Sequence, residues 1–426
     1  MKLVVVGGGW AGIATAVRAC EAGHEVMLLE MAPRLGGRAR SIEGDAGNGG
    51  ERLDNGQHIL IGAYRETLEL MAVVGCDVES LLARLPLELR YPDGRGLRLG
   101  AGPTGLLAGL LGARGVGAGD RLALTAAMLR WALAGWRCDA TLSVDELCRG
   151  LGGALRALLI DPLCVAALNT PAPQASGAVF LRVLHDALLG GAGSSDLLLP
   201  RRGLSELLPE PATHWLERAG ARVVPGRRVQ GIERDGRHWR VDGEACDAVV
   251  LACSAAEASR LSEAWAPEWS RQARALHYEP IVTVYLHSPG ARLPAPMTAL
   301  VAAADAPAQF AFDHGALGSA AGRFAFVVSG AAGWIEAGLD ATAQAVLRQA
   351  QQAFAPGTWP TAPTLIRTLA EKRATFRCTP GLRRPRAAIL PRLAAAGDYV
   401  EGAYPATLEG AVRAGRAAID IIADAG

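Results

Sequence analysis

Hydrophobic positions in this chain alternate between two periods, and the switches mark its elements. Residues 3–6 (LVVV) are a short aliphatic run of the kind that forms a strand buried on both faces. Residues 13–22 place apolar side chains at helical spacing and stop at Gly23, and EVMLLE at 25–30 returns to strand. The opening stretch therefore predicts a βαβ unit. Much later, residues 221–254 read as strand, Asp-Gly turn, strand and a buried strand over 248–252. Between these pieces, 121–136 has helical spacing, 281–287 and 323–328 read as strands, and a helix is predicted near 341–354. An apolar stretch closes at Gly397 and Asp398, and a last helix begins near Thr407 or Leu408. The longest uncharged stretch, 162–181, is broken by Pro162, Pro171 and Pro173, so no bilayer-spanning helix is predicted.

The βαβ unit carries chemistry. In GGGWAGIATAVRACEAGHEVMLLE, Gly7, Gly9 and Gly12 stand in G-x-G-x-x-G spacing between a strand and a helix, with Trp10 and Ala11 filling the gap. Gly7 permits the tight turn, Gly9 lets backbone approach a pyrophosphate, and Gly12 lets helix pack on strand. The helix N-terminus presents free N–H groups to the phosphates. Glu30, ending the second strand, is placed to accept from an adenosine ribose. Other glycine groups, at 115–119 and 190–193, lack a preceding buried strand and a following acid, so no second dinucleotide site is predicted.

Composition narrows the picture. The 426 residues are half hydrophobic and carry a net charge of +1, which argues against nucleic acid as a partner. Lys2 and Lys372 are the only lysines, which reads as compositional bias. Eight scattered cysteines contain no C-x-x-C pair, so reduced thiols of a cytoplasmic protein are expected, with no metal site. Only four apolar residues precede the first glycines, and no signal peptide is read there.

MAPRLGGRARS (31–41), following the acid, resembles the extension of the FAD-dependent amine oxidase and carotenoid desaturase superfamily. The resemblance implies FAD, with Gly36, Gly37 and Arg38 along its pyrophosphate; a guanidinium fork suits phosphate oxygens. It also implies that backbone around Val229 meets the adenine and that Asp398, after Gly397, accepts from the ribitol. Glu409, Gly410 and Ala411 would then form a helix start facing the flavin, where a positive dipole end favours negative charge. Three segments are more specific. LDNGQHILIGAYRETLELM (53–71), EKRATFRCTPGLRRPR (371–386) and YPATLEGAVRAG (404–415) are similar to hydroxysqualene dehydroxylases, the squalene-associated FAD-dependent desaturases of bacterial hopanoid pathways. The match departs at Tyr399, where tryptophan is expected, and in the following loop.

The fold so implied is α/β: a Rossmann-like FAD-binding domain (1–75, 196–256 and 385–426) with an inserted, discontinuous α+β substrate domain (76–195 and 257–384). The implied reaction removes the hydroxyl of hydroxysqualene to give squalene. Loss of an allylic hydroxyl leaves a delocalised cation that hydride can quench, so the protein must hold reduced FAD, protonate the hydroxyl and shelter a long hydrocarbon. Asp54, His58 and Lys372 are the candidate proton donors, and Gly56 and Gln57, between the first two, join the cofactor set. Each has a plainer reading: Asp54 as a turn or cap, His58 as a core histidine orienting a loop, Lys372 as a solvated strand end.

The apolar run 102–113 and Trp131 and Trp136 are readable as a membrane-interface element, or simply as packing within the substrate lobe. A cytoplasmic protein with peripheral contact at the inner membrane face is expected. Transient contact with the synthases that form hydroxysqualene is compatible with the resemblance, and the electron donor is not written in the chain. The rival readings are a carotenoid-type desaturase, an amine oxidase, and a flavin-holding lipid carrier without turnover.

Overall fold

The computed structural model describes residues 1–44, 51–99, 105, 108–109 and 111–424. Much of the apolar run 102–113 therefore lies outside the described residues. Lys2–Val6 is the third strand of a six-stranded sheet ordered Arg222–Val224, Glu25–Leu29, Lys2–Val6, Ala248–Leu251, Leu393–Ala395, Ala388–Leu390. The first five are parallel, and the last closes an antiparallel hairpin. Period-two alternation explains why both faces are dry. Leu3 and Val5 enter one apolar cluster, Val4 and Val6 another. The helix expected from residue 13 starts earlier, at Trp10, because Gly9 already serves as its N-cap; it spans Trp10–Glu21.

The closing helix, Leu408–Asp424, lies on Trp10–Glu21 at backbone distance. A Cβ on Gly415 would overlap the Ala11 carbonyl oxygen, and Thr15 Oγ1 donates to the Gly415 carbonyl at 3.0 Å. Small side chains thus let the two ends of the described chain close on one sheet.

A second, antiparallel sheet is ordered Met297–Ala299, Phe310–Asp313, Arg323–Val328, Tyr278–His287, Thr364–Phe376. Helix Leu339–Ala353 packs over it through Val346 and Ala350. In its edge strand, Glu279 faces Thr375 while Ile281 faces Glu371, so residues 372–374 form a bulge. Helices Ala118–Leu133, Asp161–Leu168 and Gly177–Leu189 complete this lobe.

The helix predicted over 121–136 ends three residues early, where Gly135 and Trp136 take positive φ (63° and 56°). Trp136 packs edge-on to His185, and Trp131 is only 3% exposed, so Trp131 is a core residue and not an interfacial anchor. Among the described residues, no helix is long and apolar enough to cross a membrane.

Candidate functional site

A continuous cleft of about 870 Å³ runs between the two sheets, polar at one end and oily at the other. The polar end is built by the glycine loops. Gly36 N donates to Gly8 O at 2.8 Å, and Gly9 bridges Gly36, so the two glycine segments lie side by side. Gly37 has φ +59°, and a Cβ there would sit 3.0 Å from Gly9 Cα. A side chain at Gly12 would overlap the Gly7 carbonyl, which keeps helix on strand; Gly12 itself does not line the cleft.

The first intrahelical bond runs from Ile13 N to Gly9 O at 2.9 Å, so the amides of residues 10–12 have no intrahelical acceptor. Trp10 and Ala11 line the cleft, and the Trp10 indole is anchored on Ala39 O at 3.0 Å. Glu30 is buried and accepts from Gly8 N at 2.6 Å and Ala32 N at 2.7 Å. Each carboxylate oxygen retains a second lone pair, which suits a ribose hydroxyl. Val229 also lines this end, with its carbonyl taken by Arg260 Nη2 at 2.6 Å.

Arg38 ties the middle together. Its Nη2 donates to Asp398 Oδ1 at 2.6 Å, and its Nη1 to Ala374 O at 2.6 Å and Arg373 O at 3.3 Å. The bulge at 372–374 supplies those carbonyls, which a regular strand would spend on its neighbour. Asn55 Nδ2 then bridges Arg38 O and Glu371 Oε2, both at 3.2 Å. Gly397, Asp398 and Tyr399 form the adjoining wall. The Tyr399 hydroxyl is buried and has no partner among the described residues. Burial raises its pKa far above the ordinary phenol value.

Beyond lie Gly56, Gln57 and His58. Gln57 Oε1 accepts from His314 Nε2 at 3.1 Å, and burial holds His314 down to about 3, so that ring is neutral. His58 Nδ1 lies 2.9 Å from Gly56 O, which can only accept, so Nδ1 carries the proton and Nε2 is left as an acceptor. Burial lowers the His58 pKa, against the Gly56 carbonyl and Asp54. The oily end is walled by Ile281, Phe310, Phe312 and Val327 of the antiparallel sheet and by Val165 and Ala167 of helix Asp161–Leu168.

Several sequence candidates sit elsewhere. Asp54 Oδ1 accepts from Ser41 Oγ at 2.7 Å and Leu204 N at 2.8 Å, off the cleft wall. Burial nevertheless raises its pKa, against those two bonds. Lys372 is exposed on the bulge and does not line the cleft, whereas Glu371 and Arg373 on either side do. Glu409 is wholly buried and turned to another helix, accepting from Thr67 N at 3.0 Å and Thr67 Oγ1 at 2.8 Å. Gly410 N donates to Thr407 Oγ1 at 3.0 Å, which caps the last helix, and Ala411 lines the cleft where Gly410 does not. Glu371, Arg373 and the Tyr399 hydroxyl were missed as site groups. The signal for the first two was their place in a strand flanking Lys372; for Tyr399 it was the departure from tryptophan.

The residues present fit a flavin dinucleotide. Two glycine loops, helix amides without an intrahelical acceptor, an acid at the second strand end and a buried phenol without a partner among the described residues make a polar cradle. The adjoining apolar walls suit a hydrocarbon.

Comparison with known proteins agrees with this geometry. The model of the flavin containing amine oxidoreductase family matches residues 10–422. Hydroxysqualene dehydroxylase of Rhodopseudomonas palustris is 28% identical over 447 residues, covering 99% of this chain and 98% of that protein. The protein of the same name from Sinorhizobium fredii is 27% identical, covering 98% of this chain and 97% of its own. Zeta-carotene desaturase of Synechocystis is 41% identical over only 76 residues, 18% of this chain and 15% of that protein. Among solved structures, an oxidoreductase from Methanosarcina mazei superposes with TM-score 0.74 at 16% identity, covering 99% of this chain and 100% of that one. Cyclohexylamine oxidase from Brevibacterium oxydans gives 0.72 at 16% identity, covering 99% and 98%. The α/β fold with its FAD-type parallel sheet is common to this group, and the chain belongs to the flavin containing amine oxidoreductase family.

Proposed function

We propose that this protein is a FAD-dependent hydroxysqualene dehydroxylase, which replaces the hydroxyl of hydroxysqualene by hydrogen to give squalene. The observation that carries the reading is one continuous cleft, in which a dinucleotide cradle opens directly onto aromatic and aliphatic walls. The full-length similarity to hydroxysqualene dehydroxylases supports the choice of substrate.

Gly7, Gly9, Trp10, Ala11, Glu30, Gly36 and Gly37 would hold the adenosine and pyrophosphate half of FAD, with Val229 at the adenine. Arg38, expected along the pyrophosphate, has Nη1 and Nη2 turned instead to Ala374 O and Asp398, and with Gly56, Gln57, Gly397, Asp398 and Ala411 would border the other half. Reduced FAD supplies hydride. The chain does the rest: it excludes water around the polyprene, positions the allylic carbon and handles the hydroxyl. In the balanced reaction the reduced cofactor would account for one hydride and one proton: the C–O bond breaks, the hydroxyl takes the proton and leaves as water, and the hydride forms the C–H bond in its place.

Of the three candidate proton donors, His58 alone lines the cleft. With Nδ1–H committed to Gly56 and the ring kept neutral by burial, His58 accepts through Nε2, and so orients the substrate hydroxyl or a water rather than acidifying it. Asp54 pins the loop that carries His58, since its backbone carbonyl accepts from Tyr285 Oη at 2.9 Å and its carboxylate holds Ser41 and Leu204.

The short match to zeta-carotene desaturase favours a second reading, in which the same cleft removes hydride from a polyprene. Anaerobic turnover of the FAD-loaded protein with hydroxysqualene and dithionite separates the two. Squalene accumulating in the extract, and failing to form without FAD, is the expected result. No squalene, together with dehydrogenation of a polyprene by the oxidised protein, would replace this reading by the second.

A further inference from the structure

We propose that the outer face of helix Ala118–Leu133 docks the protein on an anionic lipid bilayer. This helix is apolar on two opposite sides. Leu124, Ala127 and Trp131 are buried in the substrate lobe. Leu122, Leu129 and Leu133 are 72%, 60% and 81% exposed. At a rotation of about 100° per residue, these three leucines fall within about 40° of one another and lie about 180° from the buried side. Exposed Ala126 lies on the same stripe. Leu111, 55% exposed, adjoins the first turn, since its carbonyl accepts from Arg121 Nη1 at 2.6 Å. Single exposed leucines are ordinary, but a stripe of them on one helix face is the signature of a covered surface.

The charges around the stripe choose the occupant. From 111 to 139 the chain carries Arg114, Arg121, Arg130 and Arg137 against two acids, Asp120 and Asp139, the second beyond the helix with its carboxylate held by Thr141 N at 2.8 Å and Thr141 Oγ1 at 2.7 Å. Arg114, Arg130 and Arg137 are exposed. Asp120 turns to the inner side of the helix, where its carboxylate would meet a Cβ placed on Gly152. Arg114 lies toward the inner side, beside Leu124 and Leu155, and Arg121 is held by the Leu111 and Val116 carbonyls, so the outer side offers leucines with Arg130 on the helix and Arg137 just past its end, and no carboxylate of the helix. Apolar side chains entering the acyl boundary, with arginines reaching up to phosphates, match the headgroup region of a bilayer containing acidic lipids.

The same helix is joined to the oily end of the cleft. Leu124 packs beside Leu155, Leu158 and Leu159, and that segment runs on into helix Asp161–Leu168, whose Val165 and Ala167 wall the cleft. The inference rests on the proposed reaction only for the need to take an insoluble chain from a bilayer; the face itself stands on exposure and charge.

The test is flotation of the FAD-loaded protein with vesicles of phosphatidylcholine alone, or of phosphatidylcholine and phosphatidylglycerol in equal parts. The protein should float with the mixed vesicles, lose binding as salt is raised, and bind phosphatidylcholine alone about tenfold less. The variant Leu122→Gln/Leu129→Gln/Leu133→Gln should partition at least about tenfold less into the mixed vesicles. It should keep its FAD content and its turnover of detergent-dispersed hydroxysqualene, which shows it folded. The proposal is overturned if the wild-type protein does not float, or if the leucine variant floats equally well. It is also overturned if sedimentation shows a dimer that the leucine variant dissociates, since a second copy then covers the face. Flotation that persists in a protein making no squalene in detergent would sink the proposed reaction and leave the docking face standing.

Discussion

At the scale of single residues, Tyr399 carries the sharpest consequence. A buried hydroxyl without a partner costs on the order of 1–3 kcal/mol, so a native protein that keeps one has a water, an ion or a ligand to fill the deficit, and a place on a cofactor-sized cleft favours the ligand. The Tyr399 hydroxyl meets that description among the described residues, beside Gly397 and Asp398 on the cleft wall. A tryptophan, the residue expected there, also brings an aromatic body with one polar hydrogen, so both can serve a bound group in the same place. The substitution Tyr399→Phe should therefore act in opposite directions on the two forms of the protein. The flavin-free protein should gain about 1 kcal/mol of stability in urea, because an unsatisfied group is removed. Affinity for FAD should fall about tenfold, read from flavin release by fluorescence, the equivalent of one lost hydrogen bond. If the flavin-free protein is destabilised instead, the hydroxyl has a protein partner and no role toward the cofactor.

At the scale of elements, what was legible depended on how local the cause was. Strand Lys2–Val6, helix Trp10–Glu21 and strand Glu25–Leu29 follow from periodicity and from glycines a few residues away, so short-range reading reached them. Strand Arg323–Val328 was read at its observed bounds for the same reason. The bulge at 372–374 has no local mark, because it exists only relative to strand Tyr278–His287, so the sequence leaves Lys372 open between proton donor and solvated strand end; its exposure on the bulge matches the second. Glu409 shows the same limit more strongly. Resemblance put it at a helix start facing the flavin, yet it caps a helix more than three hundred positions earlier in the chain, Arg65–Val73. Its Oε1 also receives Arg413 Nε at 2.8 Å. Carboxylates at helix N-termini satisfy free amides and favour the positive dipole end, here through Glu66 N and Thr67 N. A role in capping and a role in flavin binding predict different outcomes for Glu409→Gln. We expect a loss of about 2 kcal/mol in unfolding free energy, from weakened charge-assisted bonds and a buried site left with unbalanced partners. FAD affinity under native conditions should stay within about threefold of wild type, well under the tenfold that one lost hydrogen bond would cost. A large drop in affinity with unchanged stability would return Glu409 to the cofactor set.

At the scale of the whole molecule, the cleft exists because segments distant in the chain are held against one sheet. Besides the strand pairing itself, the Arg38–Asp398 pair and the close packing of helix Leu408–Asp424 on helix Trp10–Glu21 contribute to this. The pair is unequal in burial, with Asp398 enclosed and Arg38 near two-fifths exposed, so solvent screens part of its energy. The helix contact is the firmer link, since Gly415 admits no side chain against Ala11 O. A ligand that touches residues from both ends should then stabilise them as one unit. Saturation with FAD at a hundredfold excess over its dissociation constant adds about 2.7 kcal/mol to whatever opening exposes the cradle. Hydrogen exchange reads this directly. Amides of both helices should share one protection level in the flavin-free protein and rise together on adding FAD. The substitution Gly415→Leu wedges the helices apart: the protection of the two should separate, and FAD should then raise that of Trp10–Glu21 by less than in the wild-type protein. If the two helices already exchange independently in the unaltered protein, or if FAD protects only the first, the cradle belongs to the N-terminal βαβ unit alone. The closure of the ends would then be packing without consequence for the cofactor.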